Sequence, residues 1–260
     1  MTHRASDIMA DPWGARARDW AEVEDEGSRP LFEEVLDLTK VGNGSRYLDI
    51  GCGSGLACHL AVERGATVSG IDSSQGLFTI AGERTPRSDL RVGDMASLPW
   101  ENDSFDAVTF INSFFFAVDQ EATLREAARV LAPRGRLAVV TWTSPDQVQA
   151  IAYLRALAPL LPPMPMEVDP FIGPDRLRAL AASACLTALG VVDLPWEWDY
   201  YPDLVTALRG MMSVGLSAVA IANAGEDAVK AALTDALQPF RSPTGAYRLR
   251  NTVHCLVATK

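Results

Sequence analysis

The stretch "RYLDIGCGSGLA", from Arg46 to Ala57, joins a short apolar run to a helical pattern through three closely spaced glycines. The run "RYLDI" is typical of a short buried strand, and the residues after Gly55 predict a helix. Glycines at such a corner let a ligand approach the backbone and use the N–H groups at the start of the helix. The stretch therefore predicts a ligand-binding corner between a strand and a helix.

Short apolar runs alternate with helical patterns as far as residue 142. The further predicted strands are "TVSGID", "LRVGD", "FDAVTFIN" and "GRLAVVTW". The predicted helices are "GLACHLAVERG", "SQGLFTIAGERT" and "DQEATLREAARVLAP", the last of them capped by Asp119. This alternation predicts an α/β fold of the Rossmann-like, doubly wound type, with a mostly parallel sheet and helices on both of its faces.

Three aspartates close successive predicted strands. Asp49 points into the glycine corner, where a carboxylate repels a pyrophosphate and attracts an ammonium or sulfonium group. Asp72 has the position of an acid that accepts from ribose hydroxyls, and Asp94 can accept from an adenine amine beside Met95. The dinucleotide fingerprint would need a third glycine where Leu56 stands. S-adenosylmethionine carries a cation, a sugar and an adenine in that order, and it has no phosphate.

Four segments carry a resemblance to a known family: "LDIGCGSG", "GIDSS", "GDMASLPWENDSFDAV" and "RVLAPRGRLAVVTW". In this order they resemble the motifs of class I S-adenosylmethionine-dependent methyltransferases, above all the small-molecule group that includes the ubiquinone and menaquinone methylases. The resemblance covers roughly residues 46–142. It implies S-adenosylmethionine as the cofactor, S-adenosylhomocysteine as the product, and a seven-stranded sheet whose antiparallel last strand lies beside the fifth.

The resemblance also implies which residues contact the cofactor. They are, for the methionine end, Asp49, Gly51, Cys52, Gly53 and Gly55; for the ribose, Asp72 and Ser73; for the adenine, Asp94 and Met95; beside the methyl group, Asn112 and Ser113; and in a lid, Trp13 and Trp20. The segment "INSFFF" lacks the Asn/Asp-Pro-Pro-aromatic element of many methylases that act on nucleic-acid or protein amides. Methylation of a base or a glutamine is therefore disfavoured.

Three parts are predicted along the chain. Residues 1–40 form an N-terminal helical lid segment, residues 41–200 with 246–260 form the methyltransferase core, and residues 201–245 form a helical insertion that covers the substrate. The acidic run "EVEDE" in the first part is interpreted as a solvated helix face. The candidate substrate-binding residues are Trp196, Trp198, Tyr200, Arg209, Met211 and Met212. Packing is an alternative role for the aromatic residues. These side chains favour an apolar or aromatic acceptor.

The sequence offers few candidates for a catalytic base. His3 lies near the terminus, and both His59 and His254 fall in predicted helix or strand patterns that favour packing. His254 and Asn112 remain as candidate catalytic residues. A base is not required for every acceptor, because methyl transfer from a sulfonium depends mainly on proximity and orientation.

Composition limits the partners. The 260 residues carry a net charge of −10 without a cluster of Lys or Arg, which argues against nucleic-acid and anionic-membrane partners. The four cysteines have neither CxxC nor zinc spacing, so no metal is expected. Because no signal peptide is evident, a cytoplasmic location is predicted. The expected partner is a small-molecule substrate, and the expected form is a monomer or homodimer.

The sequence thus predicts methyl transfer to an oxygen, or to a nitrogen or carbon, of a small molecule. Two alternatives stay open at this point. One is an NAD-dependent oxidoreductase on a Rossmann fold, and the other is a non-catalytic protein that binds S-adenosylmethionine.

Overall fold

The computed structural model describes residues 5–163 and 169–260. Its sheet contains these seven strands within that part of the chain: β1 (Arg46–Ile50), β2 (Thr67–Asp72), β3 (Asp89–Val92), β4 (Phe105–Ile111), β5 (Leu131–Trp142), β6 (Thr187–Tyr201) and β7 (Tyr247–Thr259). Their order is β3-β2-β1-β4-β5-β7-β6. Strands β1 to β5 pair in parallel, and β7 is antiparallel to both β5 and β6. The predicted fold class, with the antiparallel last strand next to the fifth, is confirmed.

Helices surround this sheet. Along the described residues they are α1 (Ala5–Gly14), α2 (Ala17–Asp19), α3 (Asp25–Leu38), α4 (Leu56–Glu63), α5 (Gln75–Arg84), α6 (Gln120–Val130), α7 (Ile151–Leu157), α8 (Pro174–Ser183), α9 (Leu204–Met211), α10 (Gly215–Ala224) and α11 (Glu226–Leu237). A π-helical segment, Trp20–Glu24, connects α2 to α3. Asp119 caps α6 as predicted, because its carboxylate accepts from the N–H of Ala122 at 2.9 Å.

Two hydrophobic cores lie on the two faces of the sheet. Successive residues of β1 alternate between them, with Tyr47 in one core and Leu48 in the other. The first core includes residues of α3, α4, α7 and the helices after β6, and the second includes residues of α6 and α8. Helices therefore cover both faces, as parallel strands require.

The glycine corner lies at the carboxyl edge of the sheet. Residues 51–55 connect β1 to α4, and the N–H groups of Gly51 and Cys52 donate to the carbonyl of Ile71 at 2.8 and 3.1 Å. Because β1, β2, β3 and β4 are parallel, their carboxyl ends meet at this edge. The carboxyl ends of these four strands therefore lie around the glycine corner.

The N-terminal helices contact the sheet and the helices around it, and so do the helices after β6. α1 contacts α5 and α10, α3 contacts β6, and α11 contacts α7. The division at residues 40, 200 and 245 remains a prediction, although α3 ends at Leu38 and β7 begins at Tyr247. Taken singly, every helix in the described residues is too short or too polar to cross a membrane, whereas the bent pair α9 and α10 passes that test by length and composition.

Candidate active site

A cavity of about 710 Å³ opens at the carboxyl edge of the sheet. Its wall combines the ends of β1, β2 and β4 with residues of the helices α1, α3, α7 and α10. This volume is within the usual range for a site that holds small molecules. The cavity has two halves: a polar corner at the strand ends, and a chamber lined mainly by aromatic and aliphatic side chains.

Most predicted cofactor residues lie together around this cavity. They are Asp49, Gly51, Cys52, Gly53, Asp72, Ser73, Asp94, Met95, Asn112, Ser113, Trp13 and Trp20. Gly55 is not part of the wall. The parallel register explains the convergence, since each strand delivers its last residues to the same edge.

The three glycines of the corner have three different surroundings. A Cβ on Gly51 would lie 2.3 Å from the Cβ of Ser113, so Gly51 allows β4 to approach. A Cβ on Gly55 would lie 2.9 Å from Ala81, so Gly55 allows α4 and α5 to pack closely. A Cβ on Gly53 would meet no atom within 4 Å, although the φ of 54° favours glycine. Gly53 is therefore the glycine whose open side leaves room for a ligand.

Asp49 is a buried carboxylate in the wall of the corner. Its Oδ1 accepts from the hydroxyl of Thr109 at 2.7 Å, and that hydroxyl lies 2.6 Å from the hydroxyl of Tyr47. Burial raises the pKa of Asp49 to about 7, against the hydrogen bond from Thr109, and the nearby charge of Asp72 adds to the increase. A buried acid at this position is suited to a cationic ligand group, which favours the ionised carboxylate.

Asp72 and Asp94 stabilise the backbone at the ends of β2 and β3. The carboxylate of Asp72 accepts from the N–H groups of Gly53 and Ser74, both at 2.8 Å. Burial nevertheless raises its pKa. The carboxylate of Asp94 accepts from the N–H of Ala96 at 2.9 Å. Both acids thus fix the turns that form the polar corner while they line its cavity.

Asn112 has an unusual conformation at the end of β4. Its φ is 55°, which is uncommon for a residue with a side chain. Its Oδ1 is buried and has no hydrogen-bond partner among the described residues. A buried acceptor without a donor is costly, and a bound ligand can supply that donor. The neighbouring Ser113 donates from its hydroxyl to the carbonyl of Ile50 at 2.5 Å and so ties β4 to the corner.

The second half of the cavity is called the aromatic chamber here. It is lined by Ser28, Phe32, Trp142, Tyr153, Leu154, Leu161, Pro170, Trp196, Val214 and Leu216. The rings of Trp142 and Trp196 meet edge to face with centroids 6.3 Å apart. The indole N–H of Trp196 donates to the hydroxyl of Ser28 at 3.1 Å, and the hydroxyl of Tyr153 lies 3.1 Å from that of Ser217. Burial raises the pKa of Tyr153 above its ordinary value.

Comparison with known proteins identifies the family. Residues 48–139 match the family described as methyltransferase domain. The chain is 34% identical over 172 residues to a ubiquinone biosynthesis O-methyltransferase of Xanthomonas oryzae pv. oryzae, which covers 62% of this chain and 70% of that protein. The chain belongs to the class I S-adenosylmethionine-dependent methyltransferases.

Other similar proteins agree with this assignment. The methyltransferase is 30% identical over 146 residues to a 27-O-demethylrifamycin SV methyltransferase of Amycolatopsis mediterranei, covering 52% of this chain and 54% of that protein. It shares its fold, at a TM-score of 0.55 and 17% identity, with a geranyl diphosphate C-methyltransferase from Streptomyces coelicolor solved with S-adenosyl-L-homocysteine, over 88% of this chain and 78% of that one. The matched part ranges from 44% to 70% of the curated relatives' own length. The oxidoreductase alternative finds no support here.

The polar corner of the methyltransferase fits its cofactor, S-adenosylmethionine. The buried acid Asp49 faces a cavity that can hold a cation, and the open side of Gly53 leaves room beside it. A group with an ammonium, a sulfonium and hydroxyls meets each of these requirements.

The interpretation of one acidic segment of the methyltransferase as a solvated helix face was wrong. The run "EVEDE" is not a solvated face, because Glu24 and Asp25 are both buried. Asp25 lines the cavity, forms an ion pair with Arg84, and accepts a hydrogen bond from Ser54 in the corner. The guanidinium of Arg84 also donates to the carbonyl of Ala21 at 2.9 Å. The N-terminal segment is thereby fixed to the corner and to α5.

The two tryptophans that were predicted to form a lid contact each other. The rings of Trp13 and Trp20 meet edge to face with centroids 4.8 Å apart, and the ring of Trp13 also meets that of Phe116 at 6.2 Å. Both indoles line the cavity. Asp25, Ser28 and Phe32 line it from α3, where their spacing places them on one helix face. Asp25, Ser28 and Phe32 were not predicted as site residues from the sequence, and their spacing on one helix face was the signal that could have identified them.

Several residues predicted to bind substrate lie elsewhere in the methyltransferase. Arg209 is exposed and pairs with Asp19 at 2.6 Å and with Glu22, so its guanidinium is engaged at the surface and not in the cavity wall. Met211 and Met212 are buried in the core and are absent from the cavity wall. The side chains of Trp198 and Tyr200 lie outside the described residues.

The histidines do not reach the cavity wall in the described part of the chain. His254 lies on β7, where its Nδ1 is 2.6 Å from Oδ1 of Asp193 on the neighbouring strand. His59 lies 3.4 Å from Glu63 on α4. His3 lies outside the described residues. Asn112 is thus the one of the two catalytic candidates that lines the cavity.

Proposed function

We propose that this methyltransferase transfers a methyl group to an oxygen of an apolar or aromatic small molecule. The observation that carries the proposal is the aromatic chamber, which is continuous with the polar corner in one cavity. Its walls are Trp142, Tyr153 and Trp196 together with aliphatic side chains. Rings and alkyl groups in such a wall favour a flat or hydrophobic ligand.

The names of two relatives support oxygen as the methylated atom. One is named for O-methylation in ubiquinone biosynthesis and the other for methylation of 27-O-demethylrifamycin SV. Both names refer to oxygen atoms of small molecules. The same chemistry on an apolar acceptor is the simplest use of a chamber with this lining.

Residues of the polar corner would hold the cofactor in the proposed reaction. Asp49 would pair with the amino group, Asp72 would accept from ribose hydroxyls, and Asp94 with Met95 would border the adenine. When bound, S-adenosylmethionine supplies a methyl group on a positively charged sulfur. Trp13 and Trp20 would cover this half and limit the entry of water.

The remaining task of the chain is to orient the acceptor. Enclosure between α3, α7 and β6 brings an acceptor oxygen next to the strand ends, and such proximity can supply most of the rate. Because no histidine lines the described cavity, the proposed acceptor is a phenolic or enolic hydroxyl that binds uncharged. Its oxygen would take the methyl group as the bond between methyl and sulfur breaks, and its weakly held proton would pass to water or to a carboxylate of the wall.

The test uses the full-length enzyme with S-adenosylmethionine and 2-naphthol as a flat phenolic probe. Formation of S-adenosylhomocysteine together with 2-methoxynaphthalene, followed by mass spectrometry, is the expected result. A saturated aliphatic polyol serves as the control acceptor and should give no product. Methylation of the polyol but not of naphthol would contradict the proposal.

A further inference from the structure

The cavity wall has an unbalanced charge. Five carboxylates line it, from Asp25, Asp49, Asp72, Asp94 and Asp119. Among the described residues of the wall there is no Lys, Arg or His. Asp25 is neutralised by its ion pair with Arg84, so the acidic excess lies in the polar corner and at Asp119, and the described residues of the aromatic chamber carry no charge.

The basic residue that supports the wall and two basic residues of the N-terminal segment already pair with protein carboxylates. Arg84 pairs with Asp25 and donates to the backbone carbonyls of Ser54 and Ala21, so it is a part of the wall's support. In the lid, Arg16 pairs with Glu226 at 2.9 Å, and Arg18 pairs with Glu83 at 3.1 Å. An anionic ligand would therefore have to compete with protein carboxylates for each of these guanidinium groups.

Buried atoms that can accept a hydrogen bond and lack a partner are also present on the described wall. Two such buried atoms in the described wall are Oδ1 of Asn112 and the hydroxyl oxygen of Thr123. The amide oxygen can only accept, and the hydroxyl can accept or donate. A ligand that brings hydrogen-bond donors can bind to both atoms. A fully deprotonated phosphate or carboxylate has no donor for the amide oxygen.

We infer that the acceptor of this enzyme is an uncharged or positively charged molecule with a hydrogen-bond donor, and that anionic acceptors are excluded. The inference rests on the proposed function and specifies its substrate class. Transfer of an anion from water into an apolar chamber is unfavourable without a paired cation, and like charges nearby add to that cost. The diphosphate named for the structural neighbour is accompanied there by Mg²⁺. The described residues of this chain contain no group of three or more His, Cys, Asp or Glu that could hold a metal ion, and the described wall offers no basic side chain as a counter-charge.

Three probes with one ring system separate charge from shape. They are 2-naphthol, 2-naphthylmethylamine and 2-naphthoate, which are neutral, cationic and anionic at neutral pH. Each is titrated calorimetrically into the full-length enzyme saturated with S-adenosylhomocysteine. Naphthol and the amine should bind, and naphthoate should bind at least about tenfold more weakly because it loses its hydration without gaining a partner.

Two results would overturn the inference: naphthoate binding as tightly as naphthol, or none of the three probes binding. The preceding titration with S-adenosylhomocysteine distinguishes a failure of this inference from a failure of the proposed function. Absence of cofactor binding, or of a methyl ether in the transfer assay, would count against the function. If the enzyme methylates naphthol but, when saturated with S-adenosylhomocysteine, also binds naphthoate tightly, only the exclusion of anionic acceptors would be contradicted.

A matched pair of variants tests the cause. Leu161 is a half-buried residue of the aromatic chamber, and Leu161→Lys adds a cation there, whereas Leu161→Gln adds a polar group of similar length without charge. Naphthoate should bind at least about tenfold more tightly to the lysine variant than to the glutamine variant. Equal affinities would show that charge does not control the selection.

Discussion

The polar corner and the aromatic chamber form one cavity but are built in opposite ways. The corner is assembled from strand ends, and its acids are fixed by backbone N–H groups and by the hydroxyl of Thr109. The chamber is assembled from α3, α7, β6 and α10, which are far apart in sequence. Its contacts include the ring pair of Trp142 with Trp196 and the hydrogen bonds of Trp196 and Tyr153 to serine hydroxyls. Under the proposed function, the strand ends would hold the polar cofactor and the elements added around the sheet would hold the acceptor, so the two halves should respond separately to substitution.

The largest expected effect separates the two halves at Asp49. Asp49→Asn keeps the shape of the side chain but removes its charge, and S-adenosylmethionine affinity should fall by about 100-fold, since a buried charged partner is lost. Calorimetry measures the affinity. Binding of 2-naphthol to the aromatic chamber should stay within about twofold, as the mutated group lies in the other half.

The stability of the same variant provides a control for folding. The ligand-free enzyme carries a buried acid whose raised pKa makes ionisation unfavourable near neutral pH. Asp49→Asn should therefore leave the midpoint of thermal unfolding unchanged or raise it at slightly alkaline pH. A variant that lost both cofactor affinity and thermal stability would indicate a structural role instead.

The pH dependence of cofactor affinity should follow the pKa of Asp49. That pKa is raised to about 7, so below this value the free enzyme holds a proton that a cationic ligand group must displace. Affinity should be constant above about pH 7 and fall by up to about tenfold per pH unit below it. For the same reason the stability that the protonated acid gives the ligand-free fold is lost as the pH rises from about 4 through 7.

Asp49→Asn is the reference for the pH experiment. Its affinity for the cofactor should be weak and should lose most of the pH dependence between about pH 5 and pH 7. Parallel curves for the two proteins would assign the titration to another group. Asp72, whose pKa burial also raises, would then be the first to be replaced.

A bulky substitution in the aromatic chamber should affect only the acceptor. Leu154→Trp places a larger side chain in the chamber and should raise the KM for naphthol by about tenfold, because the ligand loses space. The matched control is Val205→Trp on α9, where the side chain is 77% exposed. Cofactor affinity should remain unchanged in both variants, and a loss in Leu154→Trp would mean that the halves are coupled.

The smallest effects are expected at predicted site residues that the fold places away from the cavity. Arg209→Ala removes surface ion pairs with Asp19 and Glu22, so KM and kcat should change by less than about twofold. His254→Gln should lower the unfolding temperature slightly through its contact with Asp193 and leave kcat unchanged. Steady-state kinetics of both variants check this, and a selective loss of kcat in His254→Gln would make it a catalytic group.

The sequence was sufficient for the sheet and for the polar corner because both depend on local pattern. Strand alternation and the position of an acid at each strand end do not require knowledge of distant contacts, and Asp49, Asp72 and Asp94 indeed meet at one edge. The chamber could not be predicted in this way. Met211 is the last residue of α9 and Met212 follows it, and the sequence alone does not show that both side chains pack in the core instead of lining the cavity.

Asp25 illustrates the remaining difficulty. Within a run of four acids it has the pattern of a solvated helix face, and its burial depends on Arg84, which lies far away in the sequence on α5. Arg209 shows the reverse case, since a basic residue of α9 pairs with two acids of the N-terminal segment at the surface. Pairing over long distances in the sequence decides both positions.

The most direct measurement is a calorimetric titration of the wild-type enzyme and Asp49→Asn with S-adenosylmethionine, S-adenosylhomocysteine and NAD. A charge-selective corner predicts micromolar binding of the two sulfur ligands to the wild type, much weaker binding to the variant, and no heat from NAD. Binding of NAD, or equal affinity of wild type and variant for S-adenosylmethionine, would contradict the central role given to the buried carboxylate.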